Sequence, residues 1–76
     1  MANKPLNRVK AVMAERMVSN KELGEMLGKD TATISRWVTN SAQPTLESLI
    51  EIAKALQCDI GDLVRMDDSG ILKKQE

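Results

Sequence analysis

The chain has 76 residues, room for one domain, and its 11 basic and 11 acidic side chains leave no net charge. It has no histidine, Phe or Tyr, one tryptophan (Trp37) and one cysteine (Cys58), which excludes an internal disulfide and a zinc site. A chain this short buries a modest share of its surface, so it needs either a regular helical core of Leu, Ile, Val, Met and Ala or a second subunit.

Asn3 as a cap and Pro5 in a first turn predict a helix from about Pro5 to Met17, with Leu6, Val9, Val12 and Met13 as its buried stripe. Ser19 followed by Glu22 spells a capping box, and Leu23, Met26 and Leu27 follow at helical spacing, giving a second helix from about Asn20 to Leu27. Gly28 is placed to end that helix in the left-handed conformation. Asp30 is a good cap for a third helix, about Thr31 to Val38, whose apolar residues are Ile34, Trp37 and Val38. Residues 39–44 form a polar loop. Thr45 caps a fourth helix carrying Leu46, Leu49, Ile50, Ala53 and Leu56 on one face, and Asp59 caps a short fifth with Ile60, Leu63 and Val64. Asp67-Asp68-Ser69-Gly70 is a turn signal, after which Ile71-Leu72-Lys73 could pair back on Val64-Arg65-Met66 as a hairpin or fray. The domain therefore covers 1–66 and a tail covers 67–76.

Charge is unevenly placed. Residues 1–40 hold seven bases against four acids, +3, and residues 41–76 hold four against seven, −3. The half containing the two short capped helices is the positive one, and a bipolar domain can still offer a basic face to phosphates.

These residues resemble the phage-repressor and Cro-like (Xre-type) helix-turn-helix DNA-binding proteins. The resemblance runs through Arg8-Val9-Lys10, Ser19-Asn20, Leu23-Gly24, Leu27-Gly28, Thr33-Ile34-Ser35-Arg36-Trp37, Pro44-Thr45-Leu46-Glu47 and Ile52-Ala53-Lys54-Ala55-Leu56, in register from about 7 to 64. It implies an all-α, five-helix, lambda-repressor-like domain in which helices 2 and 3 read DNA. By that resemblance Gly24 lies where helices 2 and 3 cross closely, Trp37 packs into the core, and Asn40 takes the left-handed conformation that glycine usually supplies. Many relatives carry a buried arginine–glutamate pair where this chain has Met13 and Val38; replacing both partners with packed hydrophobes can be neutral or stabilising. Cys58 stands at a small apolar position, as a buried, inert thiol.

The outward face of helix 3 comprises Thr31, Ala32, Ser35 and Arg36, the expected base-contacting set. Arg36 is the best equipped, since its fork can pair with guanine O6 and N7. Asn20 and Lys21, at the helix 2 N-terminus, suit a backbone phosphate, as do Lys29, Thr39, Asn40 and Ser41 flanking helix 3; Thr33 is expected half-buried or on phosphate. Val64, Met66, Ile71 and Leu72 have too few partners within one chain and are expected to form a homodimer interface. The resulting expectation is a sequence-specific transcriptional regulator that binds double-stranded DNA as a homodimer. The rival is an antitoxin-like module that uses the same fold to bind a partner protein. No nucleophile–base pair, metal cluster or phosphate-cradling glycine loop is present, so neither enzyme activity nor a cofactor is implied. No apolar run nears the roughly 18 residues of a membrane span, and no signal-peptide core is seen, which points to the cytoplasm.

Overall fold

Helices of eight residues are marginal in water without caps and tertiary packing, and three of the four helices here have that length. The computed structural model describes residues 6–64. They form α1 (Val9–Arg16), α2 (Asn20–Leu27), α3 (Thr31–Val38), α4 (Leu46–Leu56) and a 3-10 turn at Ile60–Leu63. The described residues are thus helical apart from loops and one isolated antiparallel bridge, Asn7 to Val64.

The caps are those the sequence spells. Ser19 Oγ accepts from the Glu22 amide at 3.1 Å while Glu22 Oε1 accepts from the Ser19 amide at 2.8 Å. Asp30 Oδ1 accepts from the Thr33 amide and Thr45 Oγ1 from that of Ser48. Gly28 closes α2 at φ 68°, and the Lys29 amide turns back to the Gly24 carbonyl at 2.8 Å. Gly24 itself is the tight point. A Cβ there would stand 2.7 Å from the Lys29 carbonyl oxygen and 3.6 Å from the Ile34 side chain.

Val9, Val12, Met13, Leu23, Ile34, Trp37, Ile52, Ala53, Leu56 and Leu63 form the core, with every element contributing at least one. Met13 is buried, as expected, and Val38 is half-buried against that core rather than fully buried. Trp37 is likewise a core residue.

The first helix begins later than the sequence suggests, at Val9 rather than Pro5. The reason lies far along the chain. Asn40 Oδ1 accepts from the amides of Leu6 and Asn7 at 2.8 and 2.9 Å, and the Leu63 carbonyl accepts from the Arg8 amide at 2.8 Å. Those amides serve as straps to the end of α3 and to the 3-10 turn. Leu6 consequently lies outside the buried stripe, 41% exposed. Asn7 is buried and saturated: its Oδ1 accepts from the Val9 amide, and its Nδ2 donates to the Trp37 carbonyl and to Gln43 Oε1. Asn40 returns a bond from Nδ2 to the Asn7 carbonyl at 3.3 Å and takes the left-handed φ of 61°.

Two further expectations are corrected. The packed face of α4 is Ser48, Ile52, Ala53 and Leu56, with Leu49 half-buried, whereas Leu46 and Ile50 are exposed at 67% and 38%. The apolar arc of α4 opposite Glu47, Glu51 and Lys54 is broad, so its own periodicity does not choose which part of that arc packs. The fifth helix is a single 3-10 turn, in which Asp62 accepts from the Asp59 amide, and Val64 leaves it extended to pair with Asn7. The possible hairpin, the Asn3 cap and Pro5 lie outside the described residues.

Two substitutions test this frame by urea unfolding. Gly24→Ala forces a methyl against a backbone carbonyl and should cost about 1–3 kcal/mol, despite alanine's better helix propensity. Asn40→Gly keeps the left-handed backbone but strips the Leu6 and Asn7 amides of their acceptor. It should also cost about 1–3 kcal/mol and speed hydrogen exchange at those two amides. Wild-type stability in either variant contradicts the packing described.

Candidate nucleic-acid interface

Once Ile34 and Trp37 turn inward, the geometry of a helix sends the opposite side of α3 to solvent. Thr31, Ala32 and Arg36 are exposed there and Ser35 is half-buried beside them. The four expected base-contacting residues therefore share one face. Thr33 is half-buried, and its hydroxyl accepts from Arg36 Nη2 at 3.5 Å. The Thr33 side chain, and then its amide, hold the Asp30 carboxyl below the usual carboxylate range. That carboxylate caps the exposed first turn of α3.

Asn20, half-buried at the α2 N-terminus, lines a cleft with Val38 and Thr39 at the end of α3; Lys21 beside it is exposed, and Lys29 is exposed in the α2–α3 turn. First-turn amides have no partner within a helix, and an anion suits them. At the other end of α3, the Thr39 hydroxyl donates to the Ser35 carbonyl at 2.9 Å and lies 3.0 Å from Ser41 Oγ. Both hydroxyls also meet the Arg36 carbonyl. Asn40, another expected phosphate contact, is likewise engaged within the chain: its carboxamide is turned back onto Leu6, Asn7 and Gln43. Of the expected dimer residues, Val64 is half-buried in its bridge to Asn7, and Met66, Ile71 and Leu72 lie outside the described residues.

Two arginines of the positive half are engaged in holding the fold. Arg8 Nη1 donates to the Asp62 carbonyl at 2.7 Å, and Arg16 Nε donates to the Leu56 carbonyl at 2.8 Å. The Arg16 position, against the last carbonyl of α4, also favours a cation through the helix dipole. Sequence reasoning missed these roles and that of Asn7, because the carbonyls that Arg8, Arg16 and the Asn7 Nδ2 reach lie 30 or more residues away.

Cys58 is half-buried rather than buried, and desolvation, with Asp62 next, pushes its thiol up. Among the described residues no group of His, Cys, Asp or Glu could hold a metal ion, and no helix is long and apolar enough to cross a membrane.

Residues 9–63 match the family described as Helix-turn-helix. The chain is 32% identical over 60 residues to repressor protein C2 of Salmonella phage P22, a match that covers 79% of this chain. It spans only 28% of that repressor's length. The crystal structure of a candidate DNA-binding protein from Bacteroides fragilis superposes with a TM-score of 0.78 at 43% identity, covering 79% of this chain and 97% of the other. With the capped α2, the glycine turn and the outward face of α3 in place, the chain belongs to the helix-turn-helix family.

Proposed function

We propose that the chain is a sequence-specific DNA-binding transcriptional regulator that lays α3 in the major groove. The observation that carries this reading is Arg36, exposed on the same face as Thr31, Ala32 and Ser35, on a helix whose other side is locked in the core. The P22 relative is a repressor by name, and the Bacteroides fragilis neighbour is described as a candidate DNA-binding protein; both agree with it.

In this reading Arg36 pairs with a guanine edge, and short Thr31 and Ala32 meet thymine methyls. Asn20, Lys21, Lys29, Thr33, Thr39 and Ser41 set the register on phosphates, and Asn40 positions the loop that carries two of them. Two copies, joined through Val64 and the segment beyond it, would place two such helices about 34 Å apart on one face of the duplex. The zero net charge implies weak non-specific binding, because few cations release counterions.

Titration of a duplex selected from a random pool, beside a scrambled duplex, separates the two roles. Arg36→Ala should cost about 1–3 kcal/mol on the selected site and little on the scrambled one. Lys21→Ala should weaken both alike and lower the salt slope by about one unit per protomer. Equal losses on both duplexes with Arg36→Ala would make Arg36 a phosphate clamp. Parent-like binding by both variants would remove the DNA-reading role from this face and favour a partner protein.

A further inference from the structure

The positive half of the chain has fewer cations for phosphates than its charge suggests, since Arg8 and Arg16 are bound to backbone carbonyls. Lys10 makes none of the described side-chain hydrogen bonds or ion pairs, is exposed on α1, and stands at the junction of two adjoining clefts. One cleft is also lined by Ser19, Asn20 and Thr39, the other by Thr39 and Asn40, and Val38 floors both. Lys10 thus lies between the start of α2 and the end of α3, the two places where the proposed function puts phosphates.

The electrostatics of the surface clefts separate these two from the others. Neither cleft beside Lys10 has a carboxylate in its lining. The clefts along α4 do: Asp59 and Asp62 line one, and Glu51 the other. Lys54 borders both of those acidic clefts. An anion approaching Lys10 meets a cation over an apolar floor, with no opposing charge in the wall. The apolar floor follows from the Met13 and Val38 substitutions, because a glutamate at 38 would stand in that wall.

We infer that Lys10 is a further phosphate-contacting residue, which seats a backbone phosphate of duplex DNA in the cleft between α1, the start of α2 and the end of α3. The inference rests on the DNA-binding reading and extends the contact surface onto α1. A lysine acts there as a flexible point charge, so it contributes affinity and register without reading sequence.

The test is the salt dependence of binding by the full chain to the selected and scrambled duplexes. Each phosphate neutralised adds about 0.9 to the slope of log K against log salt. Lys10→Gln should lower that slope by about 0.9 per protomer on both duplexes and leave the ratio of their affinities unchanged. Lys10→Arg should restore it, and Lys54→Gln, on the acidic side, should match the parent. If Lys10→Gln keeps the parent slope while Lys21→Gln lowers it, the inference is overturned and the DNA-binding reading stands. Equal losses from Lys10→Gln and Lys54→Gln would also overturn it, since the effect would then be net charge alone. A parent protein that binds neither duplex overturns the reading itself and this inference with it.

Discussion

The close approach of Gly24 to the Lys29 carbonyl is the constraint on which the rest of the structure depends. With no side chain at 24, the turn folds flat against α2, and the Lys29 amide bonds the Gly24 carbonyl. Asp30 is then delivered to the start of α3, where its carboxylate caps the helix. Ile34 and Trp37 enter the core, and that in turn decides which residues of α3 face outward. The presentation of Arg36 is therefore a consequence of backbone packing three turns of chain away. A bulkier residue at 24 would shift the whole of α3.

The second support is polar. Asn7 and Asn40 strap the segment ahead of α1 to the end of α3, and the same segment bridges to Val64 beyond the 3-10 turn. One short stretch thus ties both ends of the described chain to α3. Buried amides saturated in this way specify geometry more sharply than apolar contact does, because each bond has a direction. The α1–α3 contact shows the converse. Met13 and Val38 need only fill space there, and their apolar character leaves an uncharged wall beside Lys10. Net charge is a poor guide to such a molecule, because what matters is which cations are left facing outward.

Elements written in local chemistry were legible from the residues alone. Ser19 with Glu22, Gly28, Asp30 and Thr45 each act within one turn of themselves, and α2, α3 and the start of α4 fall where those residues put them. The left-handed turn at Asn40 was legible as a conformation, but its carboxamide bonds were not. The start of α1 was not legible, since its amides are claimed by residues 40 and 63. Nor was the buried face of α4: its apolar residues cover more than half of the helix beside the Glu47, Glu51 and Lys54 stripe, and only its neighbours select Ser48 and Ile52 over Leu46 and Ile50. For the interface the residue types on α3 were readable, and the engagement of Arg8 and Arg16 was not.

The central claim is that α3 faces DNA with its outer side. Amide chemical-shift mapping of the full chain during titration with the selected duplex tests it residue by residue. The account predicts the largest changes at Thr31, Ala32, Ser35 and Arg36, with Asn20 and Lys21 next, while Glu47, Glu51 and Asp59 to Asp62 stay near their free positions. Largest changes along α4 and the 3-10 turn, with the first turn of α3 unmoved, would contradict it.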